Sequence, residues 1–313
     1  MDQRKIIVVM GGPSTEAEIS RQTGKAVVEA LCSKGYRAEG LEFTPRTFVH
    51  DIEKAEPAIV FNAMHGKFGE DGRLSAVLDM LGIPYTGSGV LAAALTMDKA
   101  AAQRVLRGAG IPAPKAKIYQ AFERQRDLAA EIEAAFSLPV VVKAAAQGSS
   151  LGVVVVSRAE DLPGALGEAF SYGETVVVEE FIAGTEITVA VWGDGVNNET
   201  MPIIEITTSS GRYDYESKYT VGASRHIIPA RLSPETAEKA REIALSTFAV
   251  CGCRGIARVD MMIAADGQPY VIDINTVPGM TATSLVPDAA RAMGVDFPTL
   301  CERLLELEGF SIG

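Results

Sequence analysis

The sequence predicts a mixed fold: an α/β unit with a mostly parallel sheet at the start, then strand pairs accompanied by helices. Three observations carry this. Short apolar runs alternate with amphipathic stretches up to residue 81, the βαβ order that builds a parallel sheet. From about Ala113 the apolar runs come in pairs around short turns, at 138–157 and 176–192. Between the strand-like runs 256–263 and 270–275 lies Asp266-Gly267, a two-residue hairpin signal.

Each element follows from local pattern. Residues 6–10 read as a first strand, too short an apolar run for a signal peptide. A helix from about Thr15 puts Ile19, Ala26, Val27, Ala30 and Leu31 on its inner side, with Thr15 and Glu18 at capping-box spacing. Strands at 37–43 and 58–63 and a helix at 74–81 complete the unit. The turn GGPSTEAEIS lacks G-x-G-x-x-G spacing, which disfavours a nicotinamide-dependent dehydrogenase. Within it, Glu16 either aims at a bound ammonium group or is a solvated first-turn acid. In NAMHGKFGEDGRL, His65 follows the carboxyl end of a strand, where such sheets open towards ligands; a plain loop histidine is the alternative. Lys99 falls near the start of an Ala-rich helix, a position that is usually solvent-facing.

In the middle of the chain Lys143 lies on a strand among valines; if buried it needs a counter-charge, and a phosphate is a natural one. The turn Gln147-Gly148-Ser149-Ser150 offers N–H groups and hydroxyls that suit a polyphosphate, although an ordinary hairpin would look the same. Walker-loop spacing is absent. Glu179 begins a hinge that can meet a purine edge, and Glu186 beyond it could bridge ribose hydroxyls; solvated strand-end acids are the bland reading. The stretch 207–230 is long, polar and aromatic, the profile of a lid. Two helices around 234–251 and a C-terminal helix near 297–307 finish the chain.

The hairpin carries the most chemistry. A symmetric turn pairs Asp260 with Asp273 and Arg258 with Asn275, and strand alternation sends all four side chains to one face. Facing carboxylates repel unless something positive lies between them. Two Asp and an Asn amide are hard oxygen ligands, the set that holds Mg²⁺ against phosphates; a solvated hairpin face is the alternative.

Composition bounds the rest. A chain of 313 residues with 47% hydrophobic and 22% charged residues is long enough for two or three real cores. A net charge of −11 argues against non-specific nucleic-acid binding. No apolar run approaches a membrane span, so a soluble cytoplasmic protein with no membrane partner is expected. Cys32, Cys251, Cys253 and Cys301 lack zinc spacing and read as reduced packing residues, and three histidines are too scattered for a His-based metal site.

Taken together, GGPSTEAEIS, HGKFGEDG, PYTGSGVLAAALTMDK, VKAAAQGSSLGV, YDYESKY, RVD and DINTVPGMTATSL occur in order along nearly the whole chain, and with them it resembles the D-alanine–D-alanine ligases of the ATP-grasp superfamily. The resemblance implies an α/β and α+β architecture. A Rossmann-like (pre-ATP-grasp) domain would span 1–97, followed by a two-part ATP-grasp fold at 98–182 and 183–313, with the lid at 207–230. It implies an ATP-dependent ligase that phosphorylates the carboxylate of one D-alanine and couples it to the amine of a second, for peptidoglycan precursor synthesis. ATP and two Mg²⁺ (or Mn²⁺) per site would be the cofactors, and a homodimer is what the family suggests.

Carried onto matching positions, Lys99 and Lys143 would hold phosphates under the Gly148, Ser149 and Ser150 loop; Glu179, Phe181 and Ile182 would surround adenine, and Glu186 the ribose. Asp260, Asp273 and Asn275 would ligate metal. Glu16 would meet the first ammonium, networked with Ser149 and Tyr219, with His65 among the substrate-binding residues. Arg258 and the Gly279 amide would stabilise the oxyanion, while Lys218, Ser284 and Leu285 receive the second D-alanine. Three positions depart from the family: Asp273 replaces the usual Glu, Ala144 the usual Pro, and Glu180 follows Glu179 where a basic or neutral residue is commoner. The competing readings are a sister ligase using D-serine, D-lactate or another amino acid, and a nucleotide-binding pseudoenzyme.

Overall fold

The computed structural model describes residues 4–148, 151–208, 224–281 and 283–311. The chain starts with β1 (Lys5–Met10), α1 (Ala17–Ser33), β2 (Arg37–Glu42), α2 (Phe48–Ala55), β3 (Ile59–Asn62) and α3 (Arg73–Leu81). The strands form a parallel sheet in the order β2-β1-β3, as the alternation of apolar strand and amphipathic helix requires. Two helices, α4 (Val90–Met97) and α5 (Lys99–Gly108), lead out of it. Between them Asp98 caps α5 by accepting from the N–H groups of Ala100 and Ala101.

A second, four-stranded sheet has the order β4-β7-β5-β6, from β4 (Ala116–Gln120), β5 (Val140–Ala144), β6 (Val153–Val156) and β7 (Thr175–Glu180). Helices α6 (Leu128–Ala135) and α7 (Leu162–Ser171) cover it, and Tyr119, Ile132, Val140, Val142 and Phe170 belong to its own core. The third sheet contains β8 (Gly184–Gly193), β9 (Asn198–Thr200), β10 (Ile204–Thr208), β11 (Ser224–Ile227), β12 (Gly255–Ala264) and β13 (Pro269–Asn275). Its order is β11-β10-β8-β12-β13, with β9 on β8. Helix α8 (Pro234–Val250) packs on one face; α9 (Leu285–Ala292) and α10 (Phe297–Glu306) close the fold.

Alternation along β8 and β12 explains how the third sheet serves two cores. Ile187, Val189, Val191, Ala257, Val259 and Met261 bury against Ala240, Ala244 and Phe248 of α8. Further along the opposite face, Ala190, Trp192 and Ile256 share a core with Ile6, Val8 and Leu31 of the first unit and with Leu285 and Leu304. The first and third units are therefore welded by common apolar burial, worth ~1.5–3 kcal/mol for each large side chain. The second unit keeps a core of its own.

Some expectations are corrected. The Thr15/Glu18 capping box does not form: Glu16 is the N-cap residue without a side-chain cap, Ser14 Oγ accepts from its N–H, and Glu18 turns to Arg21. Ser20, Thr23 and Gly24 join Val27, Ala30 and Leu31 in the buried face of α1, while Ile19 and Ala26 are half-buried, because small residues let Met10 approach the helix. The two helices expected around 234–251 are one, α8. The strands on either side of the 181–183 turn do not pair; β7 and β8 belong to different sheets, so the turn is a crossing between units. The ends of the stretch read as a lid are strands, with Thr207 opposite Arg225; its residues 209–223 lie outside the described residues. Helices α2, α4, α6, α7 and α9 were not anticipated.

The weld between the first and third units has little room. Gly255 has φ +69°, and a Cβ there would lie 2.8 Å from the Cα of Gly87. Next to it Ser88 Oγ accepts from Arg254 N–H and donates to Arg254 C=O, both at 3.3 Å. Gly255→Ala is expected to cost ~2 kcal/mol or more, from left-handed backbone strain plus the backbone clash, read as a lower urea midpoint. Burial pushes the thiols of Cys251 up to about 11 and Cys253 up to about 12, and raises Cys301 as well, whereas Cys32 is exposed. A raised thiol pKa means less thiolate at pH 8, so a thiol reagent should label Cys32 rapidly in the native protein and the other three only after unfolding.

Candidate active site

The β12–β13 hairpin has the expected pairs: Asp260 lies opposite Asp273 and Arg258 opposite Asn275. Nearer the turn the register is different, with Met261 opposite Val271, so β13 carries a bulge at Ile272. That extra residue lets Val271 and Ile274, three apart, enter the same core under α8. It thereby keeps Asp273 and Asn275 on the opposite face, beside Arg258 and Asp260. It also frees the Ile272 carbonyl, which accepts from Lys143 Nζ at 3.1 Å.

On that face Arg258 and Asp260 are 8% and 5% exposed and form a two-pronged pair, Nε to Oδ1 at 2.8 Å and Nη2 to Oδ2 at 2.9 Å. Thr188, the β8 neighbour of Asp260, donates its hydroxyl to Oδ1 at 2.6 Å. The positive charge that the facing acids require is thus supplied first by Arg258. Asp273 is more open, at 34%, and lies 3.5 Å from Lys99 Nζ, which also donates to the Gln147 carbonyl at 2.9 Å. The solvent-facing alternative for Lys99 is set aside: its side chain is 12% exposed and turned into the site. Lys143 is buried as expected of a valine-rich strand, but its counter-charge within the chain is Glu179, at 2.6 Å. Glu179 in turn accepts from Gln103 Nε2 at 2.8 Å.

The first unit contributes Glu16 and His65, both buried. Glu16 lies under Gly66 and Gly148; a Cβ on Gly148 would come within 2.8 Å of its Oε2, so only glycine lets that backbone approach. His65 Nε2 contacts Thr23 Oγ1 at 3.0 Å, Nδ1 contacts the Val277 carbonyl at 3.1 Å, and Glu70 is 3.6 Å away. His65 therefore ties the first unit to the loop after β13. In that loop Asn275 Oδ1 accepts from Val277 N–H at 3.0 Å, and Ser284 Oγ accepts from Thr281 N–H at 3.1 Å beneath Gly279.

These groups meet at one cavity of about 350 Å³. Glu16, His65, Lys99, Gly148, Arg258, Asp273, Asn275, Gly279, Ser284 and Leu285 all line it. A narrower adjoining cleft is lined by Glu179, Lys99 and Asp273. Lys143, Asp260, Phe181, Ile182 and Glu186 line neither: the first two are buried in their ion pairs with Glu179 and Arg258, and the other three lie at and just after the crossing between the second and third sheets. Ser149, Ser150, Lys218 and Tyr219 fall outside the described residues. Sequence reasoning passed over Thr188, which lies two residues beyond Glu186 on β8, and Gln103, one helical turn beyond Lys99.

Among the described residues no three Asp, Glu, His or Cys side chains converge as a metal cluster. The donor set with an amide included does fit a hard divalent cation: Asp273 and Asn275 present oxygens to the cavity, and Asp260 is a third oxygen donor on the same strand face.

Comparison with known proteins gives the family and the fold. The family models for the D-ala D-ala ligase N-terminus and C-terminus match residues 42–88 and 105–306. The D-alanine–D-alanine ligase of Moorella thermoacetica is 46% identical over 306 residues, covering 97% of this chain and 98% of that one. Among solved structures, D-alanine–D-alanine ligase from Bacillus anthracis complexed with ATP superposes with a TM-score of 0.84 at 31% identity, covering 97% of each chain. The VanG D-Ala:D-Ser ligase from Enterococcus faecalis gives 0.84 at 30%, covering 98% of this chain and 100% of that one.

The two acids of the hairpin differ in what their loss does. Asp260→Ala strands a buried guanidinium and is expected to destabilise the protein by ~3–5 kcal/mol. Asp273→Ala, at a half-open position, should cost no more than about 1 kcal/mol. Urea denaturation of both variants checks this, and equal losses would contradict the pairing described.

Proposed function

The chain belongs to the D-alanine–D-alanine ligase family, and from that premise we propose that it joins two D-alanine molecules at the expense of ATP, providing D-alanyl-D-alanine for peptidoglycan precursors in the cytoplasm. The observation that supports this most is the meeting of Glu16, Lys99, Gly148, Arg258, Asp273 and Gly279, drawn from all three units, at one cavity. A ligase must bring two amino acids and a triphosphate together, and the segments 1–97, 98–182 and 183–313 are read as its three working parts.

A carboxylate is a poor electrophile, so ATP supplies the leaving group. The first D-alanine carboxylate attacks the γ-phosphorus, the bond to the β-phosphate oxygen breaks, and D-alanyl phosphate and ADP result. The second D-alanine's amine then attacks the acyl carbon, phosphate departs, and the nitrogen's proton passes to an acyl-phosphate oxygen or to Tyr219. In this scheme Glu16 receives the first ammonium and Lys99 and Lys143 the phosphates. Glu179, Phe181 and Ile182 surround adenine, and Glu186 the ribose. Arg258 and the Gly279 N–H stabilise the oxyanion, a contribution of ~3–4 kcal/mol for one donor. Ser284, Leu285 and Lys218 hold the second D-alanine. Asp260, Asp273 and Asn275 would hold Mg²⁺ or Mn²⁺, which when bound supplies charge neutralisation at the phosphates.

The likeness to a D-Ala:D-Ser ligase favours a second reading, D-serine as the amine partner. ADP release measured with each amino acid, with mass analysis of the product, tests both. Turnover with D-alanine alone giving the dipeptide is expected. A mixed D-Ala–D-Ser product would move the assignment to the sister activity, and no turnover with any amino acid would remove it. Arg258→Lys keeps a charge beside Asp260 but loses the fork geometry, so kcat should fall ~100-fold or more in the same assay.

A further inference from the structure

Gln103 has no place in the scheme above, yet it is among the more tightly held polar side chains of the site. It lies on α5 four residues after Lys99 and is 5% exposed. Its Nε2 donates to Glu179 Oε1 at 2.8 Å, while Lys143 Nζ takes Oε2 at 2.6 Å. Glu179 is 2% exposed, so these two donors are what keeps a buried carboxylate satisfied, one a cation and one a neutral amide. Because a carboxylate only accepts, the amide must present its NH₂ group, which fixes its orientation. The other end, Oε1, is then buried with no protein partner. Gln103 and Glu179 together line the narrow cleft of about 20 Å³ that also touches Lys99, Ile272 and Asp273, room for one small polar group.

The two donors to Glu179 have different futures when nucleotide arrives. In the proposed scheme Lys143 meets the phosphates, and turning towards the polyanion would weaken its hold on Glu179. Gln103 is neutral and has no reason to leave. We propose that Gln103 is a positioning residue for nucleobase selection: it holds the Glu179 carboxylate as an acceptor aimed at the exocyclic amino group of adenine. A 6-amino purine donates to that carboxylate, whereas a 6-oxo purine sets an acceptor against it and is refused. This rests on the reading that Glu179 meets adenine.

The experiment compares ATP with ITP in the full-length wild type, Gln103→Met, which keeps the bulk and removes the donor, and Gln103→Lys, which restores one. D-alanine-dependent nucleoside diphosphate release gives kcat/KM for each nucleotide, and nucleotide-induced shifts in Tm give binding without turnover. Gln103→Met should lower the ATP-over-ITP preference ~10-fold in both measures, with KM for D-alanine unmoved and the preference recovered in Gln103→Lys. If Gln103 only packs, the Met variant loses Tm and overall rate while the ratio stays at the wild-type value, and the proposal is wrong. A wild type that shows no D-alanine-dependent turnover removes the ligase reading, and the Tm shifts then decide the role of Gln103 alone. If Gln103→Met does not fold, Gln103→Leu, which likewise lacks a donor, takes its place: a lowered ATP-over-ITP ratio supports the donor role, and a wild-type ratio in a folded protein overturns it.

Discussion

Arg258 and Asp260 share one strand face, nearly out of water, and the arrangement around them follows from that. Neither charge is tolerable alone in such a place, so the guanidinium grips both carboxylate oxygens and Thr188 adds its hydroxyl. An apolar pair of similar volume would serve stability as well or better, so stability alone does not account for the two charges. Their position is set by two cores. The face of β12 opposite them packs on α8, and further along their own face Ile256 joins the core shared with the first unit. Displacing Arg258 would therefore mean moving two cores at once, and a group that must meet developing charge without reorganising gains from being held this way.

Much of this was legible in the chain. The parallel start, the strand pair at Lys143 and the hairpin register at Asp260 and Asp273 all follow from alternation and turn chemistry, which are local. The bulge at Ile272 was not legible, because one extra residue in a run of apolar side chains leaves the pattern unchanged until both neighbours are known. The expected pairing was reached at the site only because that bulge absorbs the shift from the turn. Partners distant in sequence were equally hidden: Lys143 at the end of a valine run announces that it needs an anion, but not that Glu179 is that anion. Capping offers the converse lesson, since Thr15 and Glu18 have the right spacing, yet the bond from Ser14 to the His65 carbonyl and the approach of Glu16 to Gly66 and Gly148 accompany a different start to α1.

The charge pattern of the site has one further regularity. Among the described residues, each of the cations used in the proposed chemistry already has a carboxylate of the chain: Arg258 with Asp260 at 2.8 Å, Lys143 with Glu179 at 2.6 Å, and Lys99 with Asp273 at 3.5 Å. In a protein of net charge −11 such pairing leaves none of these three cations bare before substrate enters. Under the proposed function a polyphosphate is bound by exchange rather than by addition to bare positive charge. The exchange is graded by exposure: Asp273, the most open acid, is the easiest to part from its lysine, Glu179 keeps Gln103 as a second donor, and Asp260 is locked. Affinity for an anion is lowered by the cost of parting each pair, but selectivity rises, because only a ligand that satisfies both the released cation and the released carboxylate recovers that cost. A nucleotide that arrives with a base able to donate and with accompanying divalent charge meets both demands, and a simple anion meets one.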